Sequence, residues 1–295
     1  MQNKLLIIPL VLILIVVFAL AKPDTTLVPA ANNKANIQLM IPAHAVEVAP
    51  NVFSLGSSTD IDGRAVEGFM FIDKKREAKP GTSCGNGICE AGENANKCPV
   101  DCSGGTTEST CFAFMASGAK WKTTEQYVLD TANNDSLSSS FVADNVELGI
   151  NAWDSQVAFD LFGSRNISNV VDGADTANPD GKNEIFFGSL SDSNTIAVTI
   201  VWGIFRGPPF SRELVEYDMV FNDANYTFRD AELAPAPQLM DFLNIFTHEQ
   251  GHSAGMDHPD ITCTEETMYS FASFNETKKR TLNDGDITGI RQLYS

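Results

Sequence analysis

Positive charge is scarce in this chain. Lysine and arginine total 20 against 38 aspartates and glutamates, and the formal net charge is −18. A nucleic-acid surface needs a basic footprint to neutralise phosphate, so no nucleic-acid partner is expected. Long hydrophobic runs are scarce as well: one uncharged stretch, Leu5 to Ala21, follows Lys4. Ala19-Leu20-Ala21 has the small-x-small form of a signal-peptidase site, with Lys22-Pro23 just beyond. Residues 1–21 are therefore expected to be a signal peptide or a membrane anchor, and any membrane contact is expected through that anchor alone. Either outcome places the rest of the chain outside the cell, secreted or tethered to the surface.

Cysteine is sparse but even in number, with six residues. In an exported chain an even count fits disulfides. Cys84, Cys89, Cys98 and Cys102 lack the paired C-x2-C spacing of a zinc ribbon, so residues 83–102 are expected to form a cysteine-rich knot closed by two local bridges, with a structural metal as the other reading. Glu90, Glu93 and Asp101 in that knot are compatible with calcium, although acidic turns are usually only solvated. Cys111 and Cys263 remain, and their pairing would tie the start of the last domain to a late segment.

Histidine is scarce as well. Only four are present, and three fall in His248-Glu249-Gln250-Gly251-His252-Ser253-Ala254-Gly255-Met256-Asp257-His258. On a helix, residues four apart lie one above the other, so His248 and His252 present both imidazoles to one side. Glu249 can reach a water on a metal held there without binding the metal itself. Gly255 can take a positive φ, ending the helix and swinging the chain back so that His258 arrives as a third nitrogen ligand. Three imidazoles leave the fourth tetrahedral position of one catalytic Zn2+ for water, the catalytic rather than the structural pattern. That position must open to solvent for the pattern to do chemistry. A surface helix with incidental histidines is the bland alternative; the full pattern is far more specific than a bare H-E-x-x-H.

Apolar content of 43% and charged content of 20% are ordinary for a globular protein, and 295 residues suffice for one large domain with small additions. Residues 22–82 read as a propeptide-like or linker region, with a β-hairpin signalled by Asp60-Ile61-Asp62-Gly63 between two apolar runs. From Asp73 to Gly81 a solvated linker is expected, its basic triplet Lys74-Lys75-Arg76 being a second candidate for processing. Residues 103–110 read as a linker, and residues 111–295 as one compact domain. There, strand character runs from Lys120 to Leu129, and apolar residues recur at helical spacing from Phe141 to Phe162. The turn-rich segment from Asp172 to Asn183 fails the EF-hand template and reads as a loop with room for Ca2+. Strands are expected at Glu184–Gly188, Thr195–Phe205 and Leu214–Phe221, and a helix from about Gln238.

With these residues in place, the chain resembles the metzincin clan of zinc endopeptidases, and most of all its matrixin branch. The zinc motif, Thr267-Met268-Tyr269-Ser270 and the closing stretch from Leu282 to Tyr294 carry the resemblance, which covers residues 111–295. It implies an α+β fold: a twisted mixed sheet with long helices, an active-site helix and a Met-turn in which Met268 floors the metal site. It also implies a protein or peptide substrate paired along an edge strand at Ala197, Val198, Thr199, Ile200, Val201 and Trp202. Glu249 would be the general base, and His248, His252 and His258 the zinc ligands. The chain departs from the branch in three ways. No histidines remain for a second, structural zinc; Ser83-Cys84-Gly85-Asn86 shares little with the cysteine-switch pattern; and Pro259 stands where serine is usual. The expectation is thus a secreted or tethered zinc endopeptidase. The alternative is a non-catalytic surface adhesion protein that keeps the fold.

Overall fold

The computed structural model describes residues 38–75, 94 and 110–295. The N-terminal run, the four-cysteine knot and the linker at 103–109 lie outside the described residues. No helix among the described residues is long and apolar enough to cross a membrane.

In chain order the strands are β1 (Gln38–Leu39), β2 (Val46–Ala49), β3 (Val52–Thr59), β4 (Ala65–Lys75), β5 (Ala113–Phe114) and β6 (Glu125–Leu129). Helix α1 (Ser139–Asp154) leads to β7 (Phe162–Ile167), β8 (Glu184–Leu190), β9 (Thr195–Ile204), β10 (Glu213–Asn222), β11 (Thr227–Arg229) and β12 (Leu239–Asp241). Helix α2 (Phe242–Ser253) precedes β13 (Met256–Asp257) and β14 (Phe271–Ala272), and α3 (Asp284–Tyr294) closes the chain. The principal sheet runs β2-β3-β4-β9-β10-β8-β6-β7, with β1 on β8 and β14 on β4. Parallel pairs (β10 with β8, β8 with β6, β6 with β7) occupy one half, and antiparallel pairs the other. This mixed sheet, with three helices among the described residues, is compatible with the α+β class.

Several elements depart from the sequence expectation. Helix α1 stops at Asp154, well short of Phe162. There the Asp154 carboxylate accepts the Leu161 amide at 3.1 Å, turning the chain, and Phe162 begins a strand on β6. Val157 and Leu161 thus continue the apolar pattern without continuing the helix. Gln238 has a φ of 60° and lies outside α2. The helix starts behind Asp241, whose carboxylate accepts the Asn244 amide at 2.9 Å as its N-cap.

The N-terminal hairpin brings the largest departure. Asp60 shapes its turn by accepting from the Asp62 and Arg64 amides, and Gly63 takes a φ of 80°. Strand β4 runs on through Lys74 and Lys75, where a linker is expected, and pairs antiparallel with β9 from Glu67–Gly203 to Lys74–Thr195. Strand β9 is therefore flanked by β4 and β10. Residues Ala197 to Trp202, expected at an edge, are interior and buried in this structure. Main-chain pairing explains how a segment so remote in sequence can take that place, since every residue carries the same donor and acceptor.

Apolar side chains pack on both sheet faces. One face holds Val66, Met70, Ile72, Val198, Ile200 and Trp202 together. The other meets α1 and α2 in the main core, which includes Trp153, Phe221, Phe242 and Phe246. A disulfide joins Cys111 to Cys263, with Cα atoms 5.7 Å apart.

Candidate metal centre

Helix α2 is buried on nearly every side, so its orientation is fixed by its neighbours. The indole Nε1 of Trp153 donates to the Thr247 carbonyl at 2.9 Å, and that of Trp121 donates to the Ser253 carbonyl at 2.7 Å. The two indoles thus hold the helix at its middle and its C-terminus. Gly251 lets Met268 close on the helix: a Cβ there would lie 2.2 Å from Met268 Sδ and 2.6 Å from Trp153 Cζ2. Gly255 has a φ of 98°, which turns the chain from α2 into β13 and carries His258 back. Asp286 at the start of α3 accepts the Thr267 amide at 2.7 Å and the Met268 amide at 3.1 Å, which pins that turn beneath the helix. It also accepts the Asn283 amide at 3.0 Å, so the closing helix begins with a capping interaction.

The structure brings His248, His252 and His258 together, with one ring nitrogen of each within 4.8 Å of the other two. His248 Nδ1 lies 2.7 Å from the Thr267 carbonyl, and His252 Nδ1 lies 3.0 Å from the Met256 carbonyl. A carbonyl only accepts, so both Nδ1 atoms carry the proton and each Nε2 keeps its lone pair for a metal. Nε2 of His252 and of His258 are 3.1 Å apart. Zn–N bonds of ~2.0–2.1 Å at tetrahedral angles place neighbouring nitrogens about 3.3 Å apart. Nε2 of His248 is buried without a hydrogen-bond partner. Burial holds all three imidazoles neutral, with His252 down at about 3 despite the opposing pull of the Met256 carbonyl. The orphaned Nε2 of His248, the neutral rings and this spacing all fit a zinc ion.

Glu249 is fully buried, and its Oε2 accepts from Thr199 Oγ1 at 2.5 Å while Oε1 has no partner. Burial, with the nearby Asp73 charge, pushes its carboxyl well above the usual range, against the Thr199 hydrogen bond. Thr199 thus faces Glu249 from β9 as well as lying on the expected substrate strand.

Sequence patterns do not single out three nearby residues. Asp73 lies at the end of β4, and its carboxylate is within 4.8 Å of ligand atoms of both His248 and Glu249. Phe71 stacks on the His252 ring with centroids 4.3 Å apart. Lys279 is fully buried; its Nζ donates to the Tyr269 carbonyl and sits 3.4 Å from His248 Nδ1. Only the period-two alternation that puts Phe71 and Asp73 on one face of a strand hinted at the first two.

A second carboxylate group lies on the opposite side of the sheet. Asp175, Glu216 and Asp218 each place an oxygen within 4.8 Å of the others. Burial pushes Glu216 up to about 8 and neighbouring Glu184 to about 7. The loop expected to have room for calcium thus meets β10 here.

Residues 91–295, well over half of the chain, match a family of peptidases described as Matrixin. No curated protein matches the chain.

Proposed function

Since the chain belongs to the matrixin family of metallopeptidases, we propose that it is a zinc endopeptidase of protein substrates with Glu249 as its general base. The carrying observation is the convergence of three neutral imidazoles beside a buried carboxylate on one helix. His248, His252 and His258 would hold the metal, and Met268 would floor the site as the residue of a Met-turn. Zinc bound there supplies Lewis-acid polarisation of a carbonyl and acidifies water to a pKa of about 7.

Glu249 accepts the proton of the attacking water and returns it to the leaving amine. Its raised proton affinity suits both halves of that exchange. The Thr199 hydroxyl orients the carboxylate by donating to Oε2, leaving Oε1 to face the water. Thr267 and Met256, through their carbonyls, keep the two helix imidazoles in the tautomer that presents Nε2. Pairing of a substrate main chain with β9, which would suit cleavage inside proteins, would require β4 to leave that strand. We also read Asp175, Glu216 and Asp218 as the place for calcium. Secretion or surface tethering through residues 1–21 completes this reading.

A non-catalytic adhesion role is less well supported, because nothing would then retain a buried carboxylate with one partnerless oxygen beside the imidazoles. Glu249→Ala separates the two readings. The variant should keep about one zinc per chain by metal analysis, while peptide hydrolysis by the activated enzyme falls by a factor of ~10²–10⁴. Turnover near the wild-type rate would remove Glu249 as the base. Failure of the wild type to retain zinc would remove the metal centre itself.

A further inference from the structure

We propose that the chain carries a second binding site, apart from the metal centre, in the cavity between α1 and β7, and that this site takes an organic cation: an ammonium or guanidinium of the kind a lysine or arginine side chain presents. The cavity holds about 430 Å³, and its lining includes Tyr127, Glu147, Asp154, Asp160, Phe162 and Arg165. That volume falls within the ~300–1,000 Å³ range of small-molecule sites. None of these residues belongs to α2 or to the segment that carries His258, so the site is independent of the zinc reading.

The cavity arises where α1 ends short of its apolar pattern. Glu147 and Asp154 lie about two turns apart on one face of that helix. Gly149 and Trp153 lie on another face, against Phe246 and Thr247 of α2. The Asp154 carboxylate takes the Leu161 amide at 3.1 Å, and the chain then enters β7 at Phe162. Helix and strand thus form two walls, and Tyr127 of β6 adds a third. Among the described residues β7 is the end strand of the principal sheet. An extended polypeptide can lie along that open edge and send a side chain into the cavity.

The lining sets three carboxylates against one guanidinium. That guanidinium is already engaged, since Arg165 donates to Glu147 at 2.9 Å and to the Ala143 carbonyl at 3.1 Å. Tyr127 is only 4% exposed, and its hydroxyl has no hydrogen-bond partner among the described residues. Burial pushes that hydroxyl up to about 12, so it stays neutral and offers a lone pair to an incoming donor. Burial also pushes the Asp154 carboxyl up to about 7, against the pull of the Leu161 and Phe162 amides. A cation beside it would offset that cost. An anion would meet the carboxylates, and a wholly apolar ligand would leave Tyr127 and Asp154 without a donor. A bare metal ion fits poorly as well: the oxygens of Glu147, Asp154 and Asp160 do not converge within 4.8 Å as those of Asp175, Glu216 and Asp218 do. The rings of Tyr127 and Phe162 suit an alkyl stem or the flat face of a guanidinium.

Ligand-observed NMR titration of the full-length chain tests the site, with Nα-acetyl-arginine methylamide as the probe and Nα-acetyl-norleucine methylamide as its uncharged counterpart. The arginine probe should bind with a Kd of about 1 mM or tighter, as a ligand of its size can. The norleucine probe should bind at least ~10-fold more weakly, for want of charge-assisted hydrogen bonds. Tyr127→Phe and Asp154→Asn should each weaken the arginine probe by ~10-fold or more. Because Asp154 also shapes the turn, exposed Asp160→Asn is the third variant, expected to weaken the probe by ~2–5-fold; thermal melting checks that each variant folds. An arginine probe that shows no binding at ~10 mM, that binds no better than norleucine, or that binds all three variants as it binds the wild type overturns the site. A hexapeptide with one central arginine separates the sources. Affinity at least ~10-fold above that of the single residue supports a polypeptide on β7, and equal affinity supports the cation site with a free amine or guanidine as its ligand.

Discussion

Replacing Gly251 by alanine tests how tightly the turn at Met268 closes on the histidine helix. The new methyl would lie 2.2 Å from Met268 Sδ and 2.6 Å from Trp153 Cζ2, so a neighbour must move. Trp153 is fully buried and anchored at 2.9 Å to the Thr247 carbonyl, and the Met268 amide is held by Asp286. Overpacking of this kind costs about 1–3 kcal/mol, whereas alanine for glycine inside a helix gains ~1 kcal/mol. The clash matches or exceeds that gain, leaving a net loss of up to about 2 kcal/mol and a fall in Tm of up to roughly 8 °C. Met268→Ala alone should cost about 2–5 kcal/mol by opening a cavity. In the double variant the Gly251 methyl takes part of the vacated volume. The two losses should then fall short of additivity by more than ~0.5 kcal/mol, the scatter expected of independent sites. Urea unfolding of the four zinc-loaded proteins measures the cycle. A more stable Gly251→Ala variant, or strictly additive losses, would refute the packing account.

Serine at both Cys111 and Cys263 opens a loop of sequence separation 152. Chain entropy sets an upper limit of about 5 kcal/mol for that cross-link, so calorimetry should record a fall in Tm of up to ~20 °C; a change under ~1 kcal/mol would show that the bridge constrains little. The carboxylates around Glu216 predict a pH dependence of opposite sign to that of a salt-bridged acid. Glu216 at about 8 and Glu184 at about 7 keep protons in the folded state that the unfolded chain releases at lower pH. The folded state then binds more protons, and stability falls as pH rises from about 4.5 to 8. In EGTA, Tm should therefore drop across that window, and millimolar calcium should reduce the drop. Glu216→Gln should abolish the calcium response, and a wild-type Tm at pH 8 indifferent to calcium would dismiss the cation site.

The histidine motif was legible from residue spacing because a helix converts sequence intervals into fixed directions. His248 and His252 converge for that reason, and a turn at Gly255 returns His258 within a few residues. The two β-rich stretches that became β9 and β10 were legible from their branched and aromatic side chains, whereas the even cysteine count only offered Cys111 and Cys263 as a candidate pair, which the fold joins. What the stretch before Phe162 would do was not legible. Its apolar spacing suits a helix throughout, yet the helix ends at Asp154, whose carboxylate takes the Leu161 amide.

The neighbours of β9 were beyond any local pattern. Backbone donors and acceptors are the same at every residue, so a strand does not encode which partner it takes. Shape decided it: Gly68 clears Trp202, and Met70 and Ile72 find an apolar cluster on the far side. That choice carried Asp73 to His248 and Glu249. By itself the amino-acid order determined a three-histidine site with a carboxylate beside it. Only the folded chain decided what stands before that site, because long-range packing selects among pairings that are chemically equivalent in one dimension.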